Sequence, residues 1–81
     1  MKVQVLGTGC PKCREMEENA RKAIAHLGIE CDVEKISNVK EIVSYGVLMT
    51  PGLAIDGTVV ASGKVLPVDE IVSLLAGAEG A

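Results

Sequence analysis

Apolar and polar positions along the chain change period several times, and each change marks an element. Lys2 to Leu6 is a short valine-bearing run closed by Gly7-Thr8-Gly9, which predicts a strand feeding a flexible turn. Met16, Ala20, Ala23, Ile24 and Leu27 then recur at helical spacing and form one stripe. Pro11 suits the first helical position, Glu15, Glu17 and Glu18 bring acid to the early turns as a solvated face, and Gly28 supplies the stop. Ile29, Cys31 and Val33 alternate with Glu30, Asp32 and Glu34, the period of an edge strand with one wet face. Asn38 followed by Glu41 resembles a capping box, and Val39, Ile42, Val43 and Gly46 complete a short helix and its stop. Leu53-Ala54-Ile55 and Val59-Val60-Ala61 flank Asp56-Gly57-Thr58, a hairpin signal, because Asp-Gly tolerates the positive φ angles of tight turns. Pro67 opens a last helix packed through Val68, Ile71, Val72, Leu74 and Leu75, with Gly77 to Ala81 expected as a frayed tail.

The order is strand, helix, strand, helix, strand, strand, helix. A parallel first pair joined by a crossover helix and an antiparallel closing hairpin predict an α/β fold, a four-stranded mixed sheet with three helices. Eighty-one residues, 48% of them apolar, suffice for a single domain spanning residues 1–81. Phe and Trp are absent and Tyr45 is the sole aromatic, so the core must be aliphatic. A net charge of −3 and the lack of stacking residues argue against a nucleic-acid partner. No apolar run reaches the roughly 18 residues of a membrane span, and no signal peptide is evident. Three Cys is an odd number for a secreted disulfide scaffold, which points to a reducing cytoplasm.

Chemistry concentrates where the first turn becomes a helix. Cys10-Pro11-Lys12-Cys13 places Cys10 at the cap position, where its sulfur can approach unpaired backbone N–H groups. A helix terminus contributes about 0.3 to 1 kcal/mol to a nearby anion, and up to about 2 when partly buried, so the Cys10 thiolate is favoured. Lys12 adds a screened positive charge. Cys13 stands three residues on, close enough on the first turn to close a disulfide. Cys10 is then the attacking thiol and Cys13 the resolving one, and no metal or organic cofactor is required. Thr50-Pro51 stands directly before the third strand, a place where proline shapes the chain and an X-Pro bond can be cis.

Together, Cys10-Pro11-Lys12-Cys13, Thr50-Pro51 and the Asp56-Gly57 hairpin resemble the thioredoxin and glutaredoxin superfamily, specifically its small prokaryotic "redox-active disulfide protein" members. The resemblance covers Lys2 to about Ala76. It implies a minimal thioredoxin-like fold and a monomeric thiol-disulfide oxidoreductase acting on client protein disulfides, recharged by a thioredoxin-reductase-like donor. It further implies a cis Pro51 beside the redox pair, Thr50 pairing its backbone with the client, and Pro11 and Lys12 tuning the couple. Two departures stand out. Gly9 replaces the tryptophan of thioredoxins and the first strand carries no acid, so the proton on Cys13 must be handled otherwise. Ser62-Gly63-Lys64 replaces the Gly-Gly and acidic cap of glutaredoxins, which speaks against glutathione use.

The competing expectation is a soft-metal-binding or sensing module using Cys10, Cys13 and Cys31. With His26, these residues follow zinc-finger-like spacing. Against it, Glu17 and Ala23 stand where a finger needs large core residues, and the chain after Cys31 would have no purpose. His26 reads as a solvated complement to a helix C-terminus, and Cys31 as a small hydrophobe on the strand's apolar face. Met16 and Met49 read as core, with Met49 near enough to Thr50-Pro51 to border a client groove.

Overall fold

The computed structural model describes residues 1–9 and 11–79; Cys10, Gly80 and Ala81 lie outside the described residues. Seven elements follow one another: β1 (Lys2–Leu6), α1 (Pro11–Leu27), β2 (Asp32–Ile36), α2 (Val39–Ser44), β3 (Gly52–Ile55), β4 (Thr58–Ser62) and α3 (Val68–Glu79). The four strands form one mixed sheet in the order β2-β1-β3-β4. β1 runs parallel to β2, with Lys2 opposite Asp32 and Leu6 opposite Ile36. β3 is antiparallel to both β1 and β4. This is the α/β architecture expected of a minimal thioredoxin fold.

Strand alternation sends side chains to two separate cores. Val3 and Val5 of β1, with Leu53 and Ile55 of β3, meet Met16, Ala20 and Ala23 of α1 and Ile71 and Leu75 of α3. On the other face Leu6, Ile36 and Ala54 pack with Ile42 of α2 and Val47. Burying each large member contributes about 1.5 to 3 kcal/mol, and with no Phe or Trp this aliphatic packing carries the fold. Gln4 is buried, and its Oε1 accepts from the Gly57 N–H at 3.1 Å. That bond ties the hairpin turn to β1. The turn has positive φ at both Asp56 (50°) and Gly57 (85°), the geometry the Asp-Gly pair allows.

Several boundaries differ from the sequence expectation. β2 begins at Asp32 rather than near Ile29, because pairing starts opposite Lys2 and residues 29–31 are spent returning from the helix end at Gly28. In α2 only Ile42 is buried, while Val39 and Val43 stand 63% and 52% exposed, so two of its three apolar residues serve no core. Met16 is core, but Met49 is 69% exposed and is not. α3 continues through Gly77 to Glu79, where a frayed tail is predicted. Among the described residues no helix is long and apolar enough to cross a membrane.

Candidate functional site

β1 delivers the chain to Gly7, whose N–H donates to the Ile36 carbonyl at 2.9 Å and fixes the turn to the end of the sheet. α1 then starts at Pro11, and Cys13 begins the same buried stripe as Met16 and Ala20. Its sulfur rests on Gly7. A Cβ at position 7 would run into Cys13 Sγ, and Thr50 Cβ lies 3.9 Å from the same point. Gly7, Cys13 and Thr50 therefore meet at one end of the sheet, although 43 positions separate Gly7 from Thr50 (50 less 7) in the chain. The Thr50–Pro51 peptide bond is cis and Pro51 is fully buried. Its carbonyl accepts from the Gly63 N–H at 2.9 Å, anchoring this loop to the end of β4. Leu48 and Met49, just before it, are 87% and 69% exposed, which leaves an apolar rim on the loop that carries Thr50. Pro11 and Lys12 are exposed.

Behind Cys13 lies a cleft of about 250 Å³ lined by Gly7, Cys13, Arg14, Glu17, Lys35 and Ser37 among others. Glu17 is not part of a solvated face: its side chain is only 19% exposed, while Glu15 and Glu18 are exposed as expected. Arg21 donates to Glu17 Oε2 from Nε at 3.1 Å and from Nη2 at 2.9 Å. Lys35 Nζ stands 3.7 Å from Glu17 Oε1. Arg21 thereby fixes Oε2 from the helix, and Oε1 lies within ion-pair distance of Lys35 on β2.

The other sequence candidates lie elsewhere. His26 sits exposed in the last turn of α1, about 20 Å along the helix from Cys13 at 1.5 Å per residue. Cys31 precedes Asp32, which pairs with Lys2 at the start of β1, whereas Cys13 rests on Gly7 beyond its end. Five strand residues of about 3.3 Å each separate these two places. A single ion held by Cys13, His26 and Cys31 is not built. Among the described residues no cluster of three or more His, Cys, Asp or Glu is placed to hold a metal. Cys31 packs half-buried against the core, and its thiol reaches toward the Asp32 carbonyl at 3.7 Å. Burial pushes this thiol above its ordinary pKa, with Asp56 and Asp32 adding to the effect and the N-terminal ammonium opposing it. It is a structural cysteine in character.

Comparison with known proteins identifies a family. The family model described as thioredoxin domain matches residues 1–76. The chain belongs to the thioredoxin family. A thioredoxin of Methanothermobacter thermautotrophicus is 43% identical over 75 residues, covering 93% of this chain and 97% of the relative. A thioredoxin of Methanocaldococcus jannaschii is 44% identical over 69 residues, 85% of this chain and 79% of the relative. Membership in the thioredoxin family supports a thiol-disulfide oxidoreductase function in general terms. Gly7, Glu17 and Lys35 stand at the candidate site although the sequence alone does not single them out for it. Glu17 carried one signal: it stands four residues after Cys13, and such pairs share a helix face.

Proposed function

We propose that this chain is a small protein-disulfide reductase in which Cys10 and Cys13 form the redox couple and Thr50-Pro51 receives the client. The observation that carries the reading is the buried Cys13 sulfur resting on Gly7 with Thr50 beside it. Cys10, as thiolate, attacks one sulfur of the client disulfide and expels the other as a thiolate, which takes up a proton from solvent. Cys13 then attacks Cys10 in the mixed disulfide, the Cys10–client bond breaks, and the Cys10–Cys13 disulfide forms. The client gains two electrons and two protons; the protein supplies both electrons and the Cys13 proton, and solvent supplies the other proton. A reductase of the thioredoxin-reductase type returns the electrons.

Thr50 offers its backbone to an extended client segment, and Pro51, without an N–H, leaves room for the client sulfur. Exposed Leu48 and Met49 favour an apolar client stretch around the disulfide. Pro11 and Lys12 set the potential of the couple, and the cytoplasm is the compartment that keeps it reduced. The test is insulin disulfide reduction with a recycling reductant. Cys10→Ser should abolish turnover, and Cys13→Ser should accumulate mixed disulfides that a gel without reductant displays. A Cys10→Ser variant that reduces insulin at the parent rate would end this reading.

A further inference from the structure

Release of the client needs Cys13 as a thiolate, yet Cys13 is 5% exposed, and burial in an apolar environment disfavours the charged form. A proton acceptor near it would speed this step. β1 cannot supply one, because its buried polar residue is Gln4, whose Oε1 already accepts from Gly57. Among the residues that line the cleft behind Cys13, Arg14 and Lys35 are cations with no acceptor capacity, and Thr8 and Ser37 are hydroxyls. Glu17 is the carboxylate of that lining.

We infer that Glu17 is the general base that takes the Cys13 proton in the release step, with Lys35 as its positioning residue. The inference rests on the oxidoreductase reading above. Positions 13 and 17 lie one helical turn apart on the same face, with Cβ atoms about 5 to 6 Å from each other. The intervening cleft has room for a bridging water, and transfer through one water is within the reach of a general base. Arg21 on the helix holds Oε2, Lys35 on β2 stands at ion-pair distance from Oε1, which is left able to accept a proton, and Arg14 is the remaining charge facing the cleft. In the step, the proton on Cys13 Sγ passes to Glu17 and the sulfur attacks Cys10. The bond between Cys10 and the client sulfur breaks, and the departing client thiolate takes up the proton that Glu17 then releases. No outside oxidant or reductant enters.

The experiment follows the reduced protein reacting with an aromatic disulfide in a single turnover. The first aromatic thiolate marks capture by Cys10, and the second marks displacement by Cys13. Glu17→Gln should slow the second phase by at least about tenfold at neutral pH. It should also steepen its pH dependence toward about tenfold per pH unit between about pH 6 and 8, the behaviour of an unassisted thiol. Formate, small enough for the cleft, should restore part of the rate. Lys35→Met should slow the second phase with the same steepening, and it carries the test should circular dichroism show Glu17→Gln unfolded. A second phase within about twofold of the parent, with an unchanged pH profile, in the folded variant overturns the inference. Absence of the first phase in the parent protein would instead overturn the oxidoreductase reading itself.

Discussion

Gly7 has no side chain because Cys13 Sγ occupies the place where one would stand. Gly7→Ala therefore forces either the sulfur or the end of β1 to move. Overpacking of this kind costs about 1 to 3 kcal/mol. Its effect on chemistry should exceed that of a mere stability loss, since the displaced atom is the sulfur proposed to resolve the mixed disulfide. The expected outcome is a lower urea midpoint together with a slower second phase in single-turnover reaction with an aromatic disulfide. A variant with parent release kinetics would show that the sulfur does not need this seat. The sequence marks Gly7-Thr8-Gly9 as a turn but does not say which glycine is buried. That depends on the crossing of α1 over β1, a tertiary fact. Cys10-Pro11-Lys12-Cys13 and Thr50-Pro51 stand out in the sequence because they are compact motifs with their own chemistry; of these residues Cys13 and Thr50 meet at Gly7, and Cys10 lies outside the described residues. Glu17 does not stand out, because its neighbours Glu15 and Glu18 share its composition, and its one distinguishing signal, the four-residue spacing from Cys13, becomes informative only once burial is known.

At the scale of elements, α2 is the least self-sufficient piece of the fold. Its six residues are too few to be stable alone, and Ile42 is its buried anchor. Asn38 compensates at the N-terminus: its Oδ1 accepts from the N–H groups of Lys40 at 2.9 Å and Glu41 at 3.3 Å. Asn38→Ala should cost about 1 kcal/mol, read as a lower urea midpoint at unchanged slope, with amide exchange accelerated in α2 before other elements. This cap was legible in the sequence because its spacing is local. The register of β4 was not. Leu53 pairs with Ala61 while Ala54 pairs with Val59, so Val60 is an extra residue in the ladder. The bulge lets Val59 reach the α2 face and Ala61 the opposite core, an outcome that strict alternation forbids. In the same way β2 starts late because its partner, not its own alternation, decides where pairing begins.

On the scale of the whole molecule, core and candidate site share α1, and Val5 belongs to both, packed in the core and lining the cleft at Cys13. Met16, Ala20 and Ala23 pack with Ile71 and Leu75 of α3 in a cluster that does not include Cys13. At about 0.05 to 0.15 kcal/mol per residue, a chain of 81 residues has roughly 4 to 12 kcal/mol of stability. Ile71 is fully buried, and Ile71→Ala should remove about 2 to 5 kcal/mol of it through lost transfer energy and the cavity left behind. A large part of the total margin therefore rests on one side chain remote from the cleft. The folded molecules should nevertheless keep their chemistry, because β1 pairing and the Gly63–Pro51 hydrogen bond fix the places of Gly7 and Thr50, and the Cys13 sulfur rests on Gly7. Urea titration should show a large drop in midpoint for Ile71→Ala. Single-turnover phases measured well below that midpoint should match the parent once scaled to the folded fraction. Were the second phase to slow in proportion to the stability lost, the two ends of α1 would be coupled, and the site would draw its geometry from the core rather than from the sheet end.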